Sequence, residues 1–307
     1  MGITDRERER RQNFIGSSDV AAIVGLDKFK SAYDVWLKKT GKVVRKDISE
    51  PAEAGLVFEE ALLRYTEKQL GKIKRNQRRA VPGTIIRTNI DAIVVESGDP
   101  IEAKTAGLYG PLTEEWGDSG TDQVPDRVIC QAQIHIKATD KEVCHVSTFL
   151  GGRGFGLYQI LRNDQLINAL IEAAAEFWDK YILTDTPPED STPSLSLIRR
   201  VIRTPNKLVV FQQPQITAYQ TWLAAKEMKK KAEMIEEAAK ANVIASLGDA
   251  EAAYLGNLGA LSFLESDRKG YTVAATKVRT LRTLKELPKS FVNLLEQKGF
   301  ENGNTIV

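Results

Sequence analysis

The chain is poor in the residues that cross-link small proteins or bind soft metals. Of its 307 residues only two are cysteine, Cys130 and Cys144, and only two are histidine, His135 and His145. That excludes a disulfide framework, a four-cysteine iron–sulfur or zinc nuclease, and zinc-protease or metal-finger spacings. So few thiols suit a reducing cytosol. No apolar run reaches the 18 residues of a membrane span, and the opening Met1-Gly-Ile-Thr-Asp5 does not read as a signal peptide. A cytoplasmic protein is expected. Lysine plus arginine (43) barely exceeds aspartate plus glutamate (41), so no global field draws the protein to nucleic acid. Two local basic clusters stand out, Arg6–Arg11 and Lys72–Arg79. Both read more readily as solvated faces or loops than as contact surfaces.

What is present is the composition of a soluble mixed protein, long enough for two domains or for one with an appendage. A helix is predicted over 17–24, with Ser17 or Ser18 as N-cap and Gly25 as its stop. A second, Ala32–Thr40, follows Ser31, and a longer one spans about Glu53–Leu70 before Gly71. Strands are predicted at Ile85–Val95 and Ile101–Thr105, and Gly107–Asp122 reads as a loop. Pro125 opens a helix to about Ala138. Val143–Leu150 and Phe155–Leu161 flank Gly151-Gly-Arg-Gly154, a hairpin signal. Asp164 then caps a helix to about Leu183, ended by Pro187-Pro188. This order predicts a mixed α/β core over residues 1–206. Residues 207–307 read as an appended helical arm: an Ala/Lys/Glu-rich helix over Gln215–Leu247, then short strand-like runs over 260–280.

The stretch from Asp91 to Lys104 is the most informative. Asp91 closes an apolar run, Ser97-Gly-Asp-Pro100 forms a turn, and Glu102 and Lys104 sit two apart, hence on one face of a strand. Folded as a hairpin, Asp91 lies across from Glu102. Two carboxylates and an ammonium then converge, an arrangement suited to a hard cation beside a phosphodiester. An acid-x-Lys pair is also a common solvated face. Against that, Ile85, Ile86, Ile90, Ile93, Val94 and Val95 make the flanking strand apolar on both faces, the mark of a sheet centre. Charge at the end of such a strand is costly unless paired.

Two helical residues join this group. Glu59 lies three after Leu56 and four before Leu63, inside an apolar sector, whereas Glu60 aligns with Glu53, Arg64 and Glu67 on a solvent face. A salt bridge or a metal would each account for Glu59. Gln131 has Val128, Ile134 and His135 as wheel neighbours; such a glutamine either caps backbone groups or orients a reactant.

These motifs occur in an order that resembles the YqaJ-type viral recombinase family, the lambda-exonuclease-like branch of the PD-(D/E)XK nucleases, over about residues 10–190. Ile15-Gly-Ser-Ser-Asp-Val-Ala-Ala-Ile-Val-Gly-Leu26 is similar to its N-terminal signature, followed by Tyr33-Asp-Val-Trp-Leu-Lys-Lys-Thr-Gly41. Gly55-x-x-x-Glu59 resembles its helix acid, Asp91 with Glu102-Ala-Lys104 its hairpin, and Pro125 with Gln131 its helix glutamine. Phe177-Trp178 and Pro187-Pro188 match its closing helix and turn.

The resemblance implies a restriction-endonuclease-like core, a mixed sheet flanked by helices, with Glu59, Asp91, Glu102, Lys104 and Gln131 as the catalytic set. It implies one or two Mg²⁺ ions, with Mn²⁺ as a substitute, held by Asp91, Glu102, the Ala103 carbonyl and Glu59. It implies 5′-to-3′ exonuclease action on ends of linear double-stranded DNA, leaving single strands for phage-type recombination, in a bacterial host. A single-strand annealing partner and a ring trimer belong to the same expectation. Arg11 and Ser18 match two residues that grip the DNA 5′-phosphate; where the family has a second serine, two before the metal aspartate, this chain has Asn89, whose amide can still donate to phosphate. The rivals are an endonuclease on the same core and a non-hydrolytic recombination scaffold. The scaffold would have lost an acid or the lysine, and all are present.

Overall fold

The computed structural model describes residues 10–44, 50–107, 115–254, 256–258 and 260–264. The chain divides into two compact units, one ending at Ile202 and the other starting at Arg203. The first unit is a mixed α/β fold: a six-stranded mixed sheet flanked by helices, as expected from the order of elements.

Strand β3 (Ile86–Val94) organises the sheet. One edge is taken by β2 (Ile73–Ala80), antiparallel. The other edge is shared. Strand β1 (Ile15–Gly16) runs parallel to it at Ile86 and Arg87, and β4 (Pro100–Ala106) pairs antiparallel at Ala92 and Ile93. Strand β5 (Val143–Leu150) lies parallel to β4, and β6 (Gly154–Leu161) closes the sheet antiparallel to β5. The β3–β4 turn is tied by Gly98 N–H donating to the Val94 carbonyl at 2.9 Å, with Gly98 at φ +80°, a conformation that favours glycine. This turn fixes the register that brings Asp91 opposite Glu102.

Of the two readings of Lys72–Arg79, a solvated face or a loop, strand β2 makes it a solvated strand face. Only Ile73 and Gln77 of this strand are buried. The basic side chains occupy its outer positions, a charge pattern that discourages pairing with a further strand. Arg6 to Glu9 of the other basic cluster lie outside the described residues, as do residues 108–114 of the expected loop.

Helix α1 (Ser17–Ile23) starts one residue earlier than a serine cap requires. Gly16 is its N-cap, and the Asp19 carboxylate accepts from Gly16 N–H at 3.2 Å. The Ser17 hydroxyl is thereby freed to turn inward. Helix α2 (Ala32–Lys39) has the reciprocal Ser31–Asp34 capping box. Helix α3 (Glu50–Leu70) buries Leu62 and Leu63, but Leu56, expected on the same stripe, is 41% exposed. Helix α4 (Asp126–Thr139) follows Pro125 and is buried at Val128, Cys130 through Ile136. Helix α5 (Asp164–Phe177) is capped by Asn163, whose side chain accepts from Leu166 N–H at 3.0 Å, rather than by Asp164.

One apolar cluster joins Ile15, Val20, Trp36, Leu37 and Ile86 to Ile134 of α4 and Leu170 and Phe177 of α5. A second sets Val128, Ala132 and Ile136 against Val146, Tyr158 and Ile160. A third places Leu63 of α3 on Ala92, Val94 and Ile101. Helix α4 is thus clamped between the first two clusters, and its polar residues Gln131, Gln133 and His135 must find partners inside. Gln133 does so by capping backbone, donating to the Leu161 carbonyl at 2.7 Å and accepting from Asn163 N–H at 2.9 Å.

In the second unit, helix α6 (Gln213–Leu247) has no buried residue, and a small hairpin pairs β7 (Ala252–Tyr254) with β8 (Ala260–Ser262). Residues 265–280 of the expected strand-like runs lie outside the described residues. No described helix is long and apolar enough to cross a membrane.

Candidate active site

The site forms where β3 and β4 part. Their backbone pairing ends at Ala92 and Ile101. Beyond it, the Ala103 N–H donates to the Asp91 carboxylate, Oδ2, at 2.8 Å instead of to a strand carbonyl. Glu102 and Lys104 share a face, and Lys104 Nζ donates to Glu102 Oε1. Gln131 reaches in from α4. Its Nε2 donates to the same Oε1 at 2.8 Å, and its Oε1 accepts from Lys104 Nζ at 3.1 Å. Gln131 therefore bonds the side chains of Glu102 and Lys104 rather than capping backbone groups.

Glu102 is 3% exposed, and its second oxygen, Oε2, has no hydrogen-bond partner. Burial raises the pKa of Glu102 against the pull of Lys104. Burial and then the charge of Glu102 push Asp91 up to about 7. Burial opposes the charge on Lys104, yet the Glu102 and Asp91 carboxylates outweigh it and raise its pKa. Two buried acids that resist ionisation thus stand beside a lysine that stays charged.

Glu59 is half-buried on α3. Its pKa is raised by burial and by Asp91, so it lies within the field of the pair. It does not complete a three-acid cluster. Among the described residues, no group of three or more His, Cys, Asp or Glu side chains stands close enough to hold an ion. The structure brings together Asp91, Glu102, Ala103, Lys104 and Gln131, with Glu59 as their charged neighbour.

His135, which the sequence offered only as a wheel neighbour of Gln131, also meets this group. His135 is fully buried, and its Nδ1, which has no hydrogen-bond partner, stands 3.5 Å from Glu102 Oε2. Its Nε2 is 3.3 Å from Ser17 Oγ, which is 2.7 Å from Thr88 Oγ1. Burial, with the nearby charge of Lys104, lowers the imidazole to about 3, so it is neutral. The tautomer protonated on Nδ1 faces Glu102 and leaves Nε2 to accept from Ser17. The signal was available: His135 follows Gln131 by four residues, one turn along the same face of α4.

Thr88 and its neighbour Asn89 also line a second feature, a cavity of about 180 Å³. Arg10, Arg11, Arg78, Arg79 and Arg87 line it too. Arg11 is held through its carbonyl by Lys39 Nζ at 2.9 Å, and Lys39 pairs with Asp19 at 2.8 Å. Of the three residues expected to grip a phosphate, Arg11 and Asn89 therefore share one cavity. Ser18 does not line it; its side chain is exposed, and its carbonyl accepts from Lys30.

Residues 8–142 match the YqaJ-like viral recombinase domain. An uncharacterized protein of Bacillus subtilis (strain 168), YqaJ, is 29% identical over 259 residues, 81% of this chain and 79% of that one. Among solved structures, an alkaline exonuclease from Laribacter hongkongensis is 16% identical, covering 59% of this chain and 94% of its own, with a TM-score of 0.47. A phage-related exonuclease from Haemophilus somnus 129PT is 15% identical, covering 56% of this chain and 96% of its own, with a TM-score of 0.41. Residues 8–142 are thus similar to the YqaJ-like viral recombinase domain, and the β3–β4 hairpin with α4 falls inside the matched span.

Proposed function

We propose that this chain is a metal-dependent exonuclease that hydrolyses phosphodiesters of linear double-stranded DNA from its ends, 5′ to 3′, leaving single strands for recombination. The observation that carries this reading is the convergence of Asp91, Glu102, Lys104 and Gln131 on a buried site whose Glu102 Oε2 lacks a partner.

The donor set suits a divalent cation. Asp91, Glu102 and the Ala103 carbonyl are hard oxygen donors, and burial pushes both acids in the protonated direction, a cost that a bound cation would offset. They would hold one or two Mg²⁺ or Mn²⁺ ions, with Glu59 adding negative charge nearby rather than completing the ligand group. When bound, the cation supplies Lewis acidity at the scissile phosphate.

The remaining work belongs to the chain. Lys104 offers a fixed positive charge for the phosphorane oxygens, where charge develops in the transition state. Gln131 holds Glu102 and Lys104 in register through both ends of its amide. His135 backs Glu102 from the interior without adding charge. The arginine-lined cavity, with Arg11 and Asn89, takes the terminal 5′-phosphate, since guanidinium groups match phosphate geometry. That cavity favours end recognition over internal cutting.

Polarity and end recognition are tested with duplexes labelled at one 3′ end, carrying either a 5′-phosphate or a 5′-hydroxyl. The expected result is resection of the 5′ strand with the labelled 3′ strand left intact, faster on the phosphorylated end. Equal rates on both ends, or shortening from the 3′ label, would overturn the assignment of this cavity.

A further inference from the structure

Helix α6 is 35 residues long and buries none of them. Such a helix has no packed face to sustain it unless it pairs with something. Its sequence carries a continuous seam of spacings three and four. Thr221, Met228, Ile235 and Asn242 alternate with Ala218, Ala225, Ala232, Ala239 and Ser246. Every one of these positions is exposed; Met228 is 71% exposed and Ile235 70%. Alternation of this kind sustained over four heptads is the pattern of a two-helix seam.

The charges along the helix select the partner. Lys226, Lys229, Lys230 and Lys231 outweigh Glu227 N-terminal to the middle of the seam, and Glu233, Glu236 and Glu237 outweigh Lys240 C-terminal to it. A parallel copy would set basic block against basic block and alanine layer against alanine layer. An antiparallel copy does the reverse. Placing Ala232 opposite the partner's Ile235 also places Met228 opposite the partner's Ala239 and Thr221 opposite the partner's Ser246. Every large residue then meets a small one, and the helices approach evenly. On the flank of that seam Lys229 meets the partner's Glu236, and Trp222 meets the partner's Val243. By symmetry each pair occurs twice. Within one copy, Lys229 makes an exposed pair with Glu233 at 3.6 Å, which leaves it available for exchange.

We propose that α6 is a self-association arm, through which two copies of this chain pair antiparallel along the Thr221–Asn242 seam. The seam is about 32 Å long at 1.5 Å per residue. The proposal is independent of the chemistry assigned to the first unit.

The test uses the full chain and its charge-swapped variants, Lys229→Glu and Glu236→Lys, in sedimentation equilibrium at low salt. The wild type is expected to dimerise. Each single swap opposes like charges twice and should weaken dimerisation at least tenfold. Mixed together, the two variants should pair with each other, because both flanking contacts become attractive again. The double variant should dimerise like the wild type. Circular dichroism checks that helix content is unchanged, as expected for exposed positions. A monomeric wild type at tens of micromolar would overturn the proposal. So would an assembly indifferent to both swaps, which would then form elsewhere. A response to Glu236→Lys alone would indicate a parallel pair, since Lys229 faces only Ala224 in that arrangement.

Discussion

Replacing Asp91 by asparagine should make the cation-free protein more stable, although it removes a residue proposed for the reaction. The Asp91 pKa rises from 3.8 to about 7 on folding. Three units correspond to roughly 4 kcal/mol at 1.36 kcal/mol per unit, an upper limit because the site is partly open. The sign follows from linkage. A raised carboxyl binds its proton more tightly when folded, so stability falls as pH climbs from about 4 to about 7 and stays reduced above. Asparagine cannot ionise, and its amide oxygen can still accept from Ala103 N–H. The assay is thermal or urea unfolding in a chelator at pH 5 and pH 8, comparing wild type with Asp91→Asn. The variant should gain about 1 to 3 kcal/mol relative to wild type between these pH values, a shift of several degrees in Tm for a unit of this size. Taking the difference between the two proteins cancels His135, whose lowered pKa has the opposite sign. Mg²⁺ at ten times its Kd should restore about 1.4 kcal/mol to the wild type and little to the variant. A variant equally destabilised at both pH values, with an unchanged response to Mg²⁺, would refute the reasoning.

Other consequences are open to measurement. Lys104→Ala removes a cationic donor to Glu102 Oε1, and should lower kcat by about 10²-fold or more while leaving duplex affinity within a few-fold; loss of binding with normal turnover would contradict a transition-state role. His135→Ala leaves Glu102 without its backing ring and opens a cavity, so unfolding should show a loss of about 2 to 4 kcal/mol, with kcat falling more than KM rises. His135→Gln should remove the part of acid destabilisation that sets in below about pH 6.5, because a histidine with a depressed folded pKa loses stability as pH falls through that range. Arg11→Ala or Asn89→Ala should reduce the preference for 5′-phosphorylated over 5′-hydroxyl ends, read from the ratio of kcat/KM, with little change on the hydroxyl substrate.

The central part of this site was legible because the turn dictates the register. With Gly98 bending between two apolar strands, Asp91 could only arrive opposite Glu102, and the two-residue period put Lys104 beside it. Gln131 and Gln133 were separable on the helical wheel, and each took a distinct role. Helix starts were less well read. Gly16 and Asn163 displaced the expected Ser17 or Ser18 and Asp164, since a cap can be supplied from a neighbour, as Asp19 does for Gly16. Strand β1 was invisible because two residues carry no periodicity, and they pair with β3 some seventy residues later. Strand β2 was hidden by composition: a half-exposed edge needs few apolar residues, so its arginines masked it. The buried row from Glu102 through His135 and Ser17 to Thr88 joins residues distant in sequence, and only the parting of β1 and β4 along β3 brings them into line.

The most direct test of the central claim is digestion of end-labelled linear duplex and covalently closed circles, with Mg²⁺ or with chelator, by the wild type and by Glu102→Gln. The prediction is that only linear duplex is degraded, only with Mg²⁺, and only by the wild type. Degradation of linear duplex by Glu102→Gln at the wild-type rate, or equal digestion in chelator, would contradict a cation site built on Asp91 and Glu102; cutting of closed circles would contradict an enzyme that starts from ends.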